Sequence, residues 1–232
     1  MQFKMTRVLP ALLFVGALSA QGQYFQLHGG SLSAGGYGQF NTILEQSPRD
    51  TNLNYPIAGP NGTTIIGTTS VTNQHQDTTW SAGLLTSFQF HPVAWAGIEM
   101  NYGYTRYSEQ FSYNSGTPLV GNNVRVPVSE HEATAAYLFH PKHILFQPFM
   151  GIGGGAIDFN PAYAQNSGGT NQWRGAGLLE AGFDIPTRSK HIAFRVEGRS
   201  LYYRSPNFNT SYLSTRSWRV QSEPVVSAVY RF

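Results

Sequence analysis

Ser129 and His131 stand two residues apart in the stretch SEHEAT, residues 129–134. Residues at positions i and i+2 of a β-strand point to the same face, so the hydroxyl and the imidazole would be neighbours. A serine beside a histidine base, with an acid or amide that orients the imidazole, is the arrangement of a nucleophilic hydrolase. Two residues of this kind do not by themselves predict catalysis, and we expect no catalytic residues in this chain.

A larger set of charged residues recurs at alternate positions of otherwise apolar stretches, which places them on one face of their strands. Charges enclosed inside a fold must be paired or hydrated, because an isolated buried charge is very costly. The set would form either a structural plug of salt bridges or a narrow gated ion path in which Arg195 or Arg199 exchanges carboxylate partners. Its members are Glu99, Glu130, Glu132, Arg174, Glu180, Arg195, Glu197 and Arg199.

Histidines and glycines form two further patterns. His91, His140, His143 and His191 fall at short connections, where exposed polar residues are normal. His140 and His143 have a spacing that metal ions sometimes use, but two ligands without a third make a poor site. The glycine-rich run at 151–155 lacks the Lys-Ser/Thr pair and the helix of a phosphate loop. We therefore predict no metal site and no cofactor.

Composition limits the elements that can position these residues. The 232 residues are 41% hydrophobic and 14% aromatic but only 12% charged, about half the charge of an ordinary soluble domain. The chain has no cysteine, so disulfides and thiolate metal ligands are excluded. An exported chain without disulfides can gain stability by closing a sheet so that every backbone group is paired.

The N-terminus predicts export. Lys4 and Arg7 precede an apolar stretch from Val8 to Leu18 that is followed by small residues, and we assign a signal peptide to residues 1–22. Without Lys4 and Arg7, 13 of the 15 basic residues remain against 12 acidic residues. The mature chain is therefore near neutral, and we expect no nucleic-acid partner.

Eight stretches of period-2 alternation predict eight β-strands. Their connections alternate strictly between short and long, as in an antiparallel meander with tight turns at one end and polar loops at the other. No stretch after the N-terminus has a helical period. The predicted strands are 31–44, 78–90, 93–107, 126–139, 144–158, 172–185, 190–204 and 218–232.

Strand length and aromatic placement favour a membrane barrel over a soluble sandwich. Strands of roughly 12 to 15 residues can cross a bilayer at the usual tilt. Tyrosine and phenylalanine gather at both strand ends, as at two lipid–water boundaries. We predict an all-β fold over residues 23–232, an eight-stranded antiparallel up-and-down transmembrane β-barrel. Its long extracellular loops are expected at about 45–77, 108–125, 159–171 and 205–217.

The chain ends in the alternating stretch VVSAVYRF, whose last residue is an aromatic ring. The eighth strand would close the barrel against the first, so this terminus could not fray without opening an edge. The ending resembles the C-terminal signal that the assembly machinery of bacterial outer-membrane proteins recognises. Here the signal would be carried by the lipid-facing residues Val226, Ala228, Tyr230 and Phe232.

The chain after the signal peptide resembles the small eight-stranded outer-membrane barrel superfamily that includes the OmpA transmembrane domain and its OmpX and OmpW-like relatives. The stretch PFMGIGGGA, residues 148–156, is similar to the Pro-aromatic-x-Gly-x-Gly segment of that superfamily. The resemblance does not include the periplasmic peptidoglycan-binding domain of full-length OmpA proteins. It implies a monomer in the bacterial outer membrane, in contact with lipid, lipopolysaccharide and the barrel assembly machinery.

Three functions follow from this resemblance as expectations. The first is a non-enzymatic barrel with a side-chain-filled lumen that serves envelope integrity or binds an extracellular ligand through its loops. The second is a narrow channel for ions or small apolar solutes. The third is a lipid-modifying enzyme at Ser129 and His131. Outer-membrane lipid A deacylases carry the histidine before the serine, with an asparagine directly following, and SEHEAT has neither feature.

Overall fold

The computed structural model of the protein describes residues 29–45, 51–58, 60, 63–93, 95–115, 123–141, 147–162, 170–208 and 217–232. The predicted signal peptide lies outside the described residues. In the described part of the chain, no helix has the length and apolar character needed to cross a bilayer. The described residues form ten strands: β1 Gly30–Glu45, β2 Thr51–Ala58, β3 Thr64–Thr78, β4 Ser81–Val93, β5 Ala96–Ser115, β6 Asn123–Phe139, β7 Pro148–Pro161, β8 Gln172–Pro186, β9 Ile192–Arg204 and β10 Trp218–Arg231.

Eight of these strands close into one antiparallel barrel. β1 pairs with β4 on one side and with β10 on the other. The ladder continues from β4 through β5, β6, β7, β8 and β9 to β10. The predicted eight-stranded up-and-down barrel is confirmed, and the closed ladder leaves none of these eight strands with an open edge inside the barrel.

The barrel interior holds charged and polar side chains together with a buried apolar cluster, whereas large apolar residues cover its outer surface. On β10, Arg219 and Glu223 are buried, whereas Val226 and Tyr230 are 61% and 54% exposed on the outer surface. The other barrel strands alternate in the same sense, with outward Leu, Ile, Phe, Met, Tyr and Trp. A soluble sandwich would turn its apolar face inward, so this distribution suits a lipid environment.

The remaining two strands form a hairpin between β1 and β4, inside the segment expected as the loop at 45–77. β2 pairs with β3 over Thr51–Ala58. β3 in turn pairs with the end of β5, from Thr78 opposite Glu109 to Val71 opposite Ser115. A four-stranded sheet in the order β2-β3-β5-β6 therefore extends the barrel wall at the end that carries the long connections.

The connection expected at 108–125 is much shorter in the structure. The β5–β6 ladder runs without a break to Ser112 opposite Asn123. Phe111 and Tyr113 point inward and are buried, so the period-2 pattern of β5 continues through a segment whose polar composition predicted a loop. β7 also differs from its expected bounds, since it begins at Pro148 and runs to Pro161.

The glycine-rich run lies in β7, where it permits close contact between strands. A Cβ at Gly153 would lie 2.0 Å from the carbonyl oxygen of Ala135, and one at Gly155 would lie 2.1 Å from that of Ala133. Both positions face the lumen beside β6, and no side chain fits there without moving backbone. This contact explains the glycines without a phosphate-binding role.

The C-terminal residue is tied to the start of the first strand. The amide of Phe232 donates to the carbonyl of Gly30 at 3.0 Å, and the amide of Gly30 donates to the carbonyl of Phe232 at 3.3 Å. The ring of Phe232 stacks on Phe88 at 6.5 Å between centroids. A Cβ on Gly30 would lie 2.7 Å from the Phe232 ring. Pairing and ring packing together hold the terminus at the barrel seam.

Candidate functional site

The lumen contains three buried arginines at successive levels of the β9–β10 wall. Arg195 and Arg199 lie four residues apart on β9, and Arg219 on β10 stands opposite Tyr203, four residues further along. Four residues of a tilted strand advance about 10 Å along the barrel axis. Each arginine meets carboxylates that come from other strands, and we call this set of contacts the lumen network.

The first level lies nearest the short turns and is centred on Arg195. Its Nε donates to Asp184 Oδ1 at 2.7 Å, and its Nη1 donates to Glu99 Oε2 at 3.0 Å. Its Nη2 donates to Gln89 Oε1 at 3.0 Å. The Arg195 guanidinium also covers the Phe149 ring at 4.4 Å. Because Glu99 lies on β5 and Arg195 on β9, this level joins opposite walls.

The middle level is centred on Arg199. Its Nη1 donates to Glu223 Oε2 at 2.6 Å, and its Nη2 donates to Glu132 Oε1 on the far wall. Thr134 accepts a further bond from Nη2 at 3.2 Å. Glu180 approaches with Oε2 at 3.6 Å from Nε, which is an ion pair without a hydrogen bond. The guanidinium therefore faces three carboxylates.

The third level lies nearest the long connections and is centred on Arg219. Its two terminal nitrogens donate to the two carboxylate oxygens of Glu109 at 2.6 and 2.9 Å. Gln221 links this level to the middle one, because its amide nitrogen donates to Glu223 at 2.7 Å while its amide oxygen accepts a bond from the hydroxyl of Tyr203, which stands opposite Arg219. The same amide nitrogen donates to Glu130 at 2.8 Å. The Arg219–Glu109 pair is bidentate, and bidentate arginine–carboxylate pairs are strong and directional.

Negative charge exceeds positive charge in the lumen. Among the described residues, three arginines and eight carboxylates are buried there. Both oxygens of Glu180, Oε2 of Glu197 and Oε1 of Glu99 have no hydrogen-bond partner. This excess of buried carboxylates over arginines is too costly in a low dielectric. The lumen must therefore take up protons or cations. The eight are Glu99, Glu109, Glu130, Glu132, Glu180, Asp184, Glu197 and Glu223.

Of the eight residues that the sequence singled out, Arg174 lies apart from the others. It is half-buried on β8 near the long connections, and its Nη2 donates to Asn207 Oδ1 at 3.3 Å. Four further buried charged residues belong to the lumen network but not to the predicted set: Glu109, Asp184, Arg219 and Glu223. The same period-2 rule identifies Asp184, Arg219 and Glu223, whereas Glu109 falls in a segment whose polar composition predicts a loop.

Ser129 and His131 lie on the outer face of β6, but no hydrogen bond joins them in the described structure. His131 Nδ1 instead bonds the Tyr102 hydroxyl at 2.8 Å, and the His131 ring lies 4.9 Å from that of Tyr104. Asp158 on β7 stands opposite His131 in the register. The serine and its base are therefore not paired as a hydrolase requires.

A second polar site lies at the short-turn mouth of the barrel. His91 Nε2 and His140 Nε2 are 3.1 Å apart. Burial is the main cause that lowers the pKa of His140, to about 4, and the nearby His91 lowers it further. A cavity of about 190 Å³ opens beside the two rings. Its lining includes Gln89, Gln147, Asp184 and Arg231.

The eight-stranded antiparallel barrel is closed and has an apolar outer surface. Short turns lie at one end and long connections at the other. These features define a transmembrane β-barrel of the bacterial outer-membrane type. In barrels of this type the short turns face the periplasm. The short-turn end is called the periplasmic end below, and the opposite end is called the extracellular end.

Solved structures of several bacterial outer-membrane proteins are similar to this chain. OprG from Pseudomonas aeruginosa is 16% identical, with a TM-score of 0.48 and coverage of 89% of this chain and 97% of OprG. Ail, the attachment invasion locus protein of Yersinia pestis, is 14% identical, with a TM-score of 0.42 and coverage of 88% and 99%. The outer membrane protein AlkL is 12% identical, with a TM-score of 0.46 and coverage of 90% and 93%. These similarities carry no functional information.

No protein-family model matches the chain, and a comparison with curated proteins gives no significant match.

Proposed function

We propose that this protein is a non-enzymatic outer-membrane barrel whose lumen is filled by side chains, and that it serves envelope integrity or surface interaction through its extracellular end. The observation that carries the proposal is the lumen network. At each of three levels an arginine that is 99% or more buried is paired with carboxylates, and at every level one partner comes from a distant wall. A solute would have to break these pairs at successive levels, which is costly in a low dielectric.

The four-stranded β2-β3-β5-β6 sheet at the extracellular end, the extracellular sheet, supports a role at the cell surface. β5 has 20 residues, which at the usual strand tilt extend about 50 Å, roughly twice the height of the apolar band of such barrels. The β2–β3 hairpin pairs with this extension. An extended sheet beyond the membrane offers a rigid surface to an extracellular ligand, which loops alone would not.

Lipid, lipopolysaccharide and the barrel assembly machinery are the partners that we propose for the outer surface. Outward aromatic residues near the extracellular end include Trp173, Tyr202 and Trp218, and the rings of Tyr202 and Trp218 stack at 4.9 Å. Phe139, Tyr230 and Phe232 are exposed at the periplasmic end. Such girdles suit the two lipid–water boundaries. The exposed alternation that ends at Phe232 would present the assembly signal.

A narrow cation path is the second candidate function, and the excess of carboxylates in the lumen favours it. Glu180 and Glu197 have oxygens without hydrogen-bond partners between the Arg195 and Arg199 levels. Rings of carboxylates select cations where water can pass. Single-channel recording separates the candidates: a filled lumen gives no discrete steps, whereas a cation path gives steps whose selectivity for cations falls in Glu180→Gln.

A lipid-modifying enzyme is the third candidate, and the contacts of His131 do not favour it. The proposal predicts that expression of the protein leaves the mass of lipid A unchanged. A mass change that Ser129→Ala abolishes would restore the enzymatic alternative.

A further inference from the structure

Two imidazoles converge at the periplasmic mouth from strands that are not neighbours. His91 lies near the end of β4 and His140 follows the last residue of β6, with β5 between the two strands. Their Nε2 atoms are 3.1 Å apart, and their ring centroids are 4.8 Å apart. This pairing depends on the folded β4-β5-β6 sheet, because 49 residues separate the two histidines in the sequence.

Hydrogen bonds anchor the backbone at both histidines. The amide of His91 donates to the carbonyl of Gly29 at 3.1 Å, and that of His140 donates to the carbonyl of Trp95 at 2.8 Å. A Cβ at Gly97 would lie 3.0 Å from His91 Cδ2, so a glycine between the two strands makes room for the ring. Two ligands held in this way lose little freedom when they bind an ion.

The separation of the two nitrogens suits a shared metal ion. Imidazole nitrogens bind zinc at about 2.0–2.1 Å, and two of them at tetrahedral positions are then about 3.3 to 3.4 Å apart. The observed 3.1 Å needs only a small outward rotation of either ring to reach that distance.

Water would supply the remaining ligands. In the part of the chain that is described, no group of three or more His, Cys, Asp or Glu side chains is arranged around a metal position. Asp184 lines the same cavity, but its oxygens are bonded by Arg195 and Arg231 at 2.7 and 2.8 Å. The cavity of about 190 Å³ has room for several waters, and its lining includes the polar Gln89 and Gln147 and the Asp184–Arg231 ion pair.

Two imidazoles alone make a weak site, and the sequence predicts none here. We nevertheless propose that His91 and His140, brought together by the fold and completed by water, form a two-imidazole binding site for a divalent first-row transition-metal ion, with zinc as the reference ion, at the periplasmic mouth of the barrel. Copper(II) would bind more tightly than zinc at the same nitrogens. The site is independent of whether the lumen conducts.

The test is calorimetric titration of zinc chloride into the refolded, untagged mature protein in detergent after treatment with a chelator. We expect one site per chain, and an affinity at least about ten-fold lower in both His91→Gln and His140→Gln, because loss of even a second-sphere partner often costs that much. His75→Gln and His191→Gln are the matched controls, since both side chains lie in exposed surroundings at other places. The absence of binding to wild-type protein, or equal affinity in all four variants, would overturn the proposal and leave the pair as an N–H···N hydrogen bond.

A second measurement uses only the wild-type protein and covers the case in which a variant fails to refold. Zinc should protect His91 and His140, but neither His75 nor His191, from modification by diethyl pyrocarbonate, as read by peptide mass spectrometry. Equal modification of His91 and His140 with and without zinc would contradict the site.

Discussion

Arg219 on β10 donates two hydrogen bonds, of 2.6 and 2.9 Å, to the two carboxylate oxygens of Glu109 on β5. Three steps around the barrel wall separate the two strands, and 110 residues separate the two partners in the sequence. The pair therefore ties opposite walls of the lumen together beneath the extracellular sheet.

This pair should show strong coupling in a double-mutant cycle. Arg219→Met leaves Glu109 buried without its cation and should destabilise the folded barrel by about 3 to 5 kcal/mol. Glu109→Gln in the Arg219→Met background should recover part of that loss, because no unpaired charge then remains. Urea unfolding in detergent micelles measures the free energies. Additive effects of the two substitutions would show that the contact does not hold the walls together.

Neutral substitutions of Arg199 and Glu180 should have different effects on the stability of the folded barrel. Arg199→Met leaves three carboxylates facing one another and should cost about 3 to 5 kcal/mol. Glu180→Gln removes one of the excess charges, whose oxygens have no hydrogen bond, and should leave the urea midpoint unchanged or raise it. A loss in Glu180→Gln as large as that in Arg199→Met would mean that the ion pair at 3.6 Å is essential.

Two classes of glycine should differ in their tolerance of alanine. Gly153→Ala and Gly155→Ala force a methyl group against the β6 backbone and should lower the yield of heat-modifiable folded barrel and its unfolding midpoint. A Cβ at Gly175 or Gly177 meets nothing within 4 Å, so alanine there should stabilise the barrel by up to about 1 kcal/mol. A comparable loss in all four variants would argue against close strand contact as the reason for Gly153 and Gly155.

Deletion of Phe232 should lower the amount of assembled protein far more than its synthesis. The residue carries both the ladder contacts with Gly30 and the stack on Phe88, so its loss opens the seam between β1 and β10. Phe139→Ala is the control, because Phe139 is another exposed aromatic residue at the periplasmic end but lies within a continuous ladder. Quantification of heat-modifiable barrel in outer-membrane fractions, against pulse-labelled synthesis, gives the ratio. Equal assembly of the deleted and intact forms would refute the role of the terminal residue.

Much of the fold could be predicted because lipid imposes a strict period of 2 on every spanning strand. The inward direction of Glu99, Arg195 and Arg199 followed from that period alone. The partners of Arg195 and Arg199 could not be predicted, because they depend on the register of strands far apart in sequence. Glu109 was assigned to a loop, since the polar composition around it concealed the alternation of buried Phe111 and Tyr113.

The histidine pair could not be predicted for a related reason. His91 and His140 each follow an apolar strand, and both were interpreted as surface residues of separate turns. They meet because β4 and β6 end at the same height on either side of Trp95, whose carbonyl accepts the amide of His140. Spacing along the chain suggested His140 and His143 instead, and His143 lies outside the described residues.

The lumen network is proposed to fill the lumen and block the passage of ions. The conductance of the refolded mature protein in a planar lipid bilayer tests this most directly. A heat-dependent shift in gel mobility first establishes that the barrel has formed. A lumen filled by the network gives a folded and silent barrel at neutral pH in wild-type protein. Discrete, steady channels in the same preparation, with cation selectivity that falls in Glu180→Gln, would contradict a filled lumen and establish a cation path.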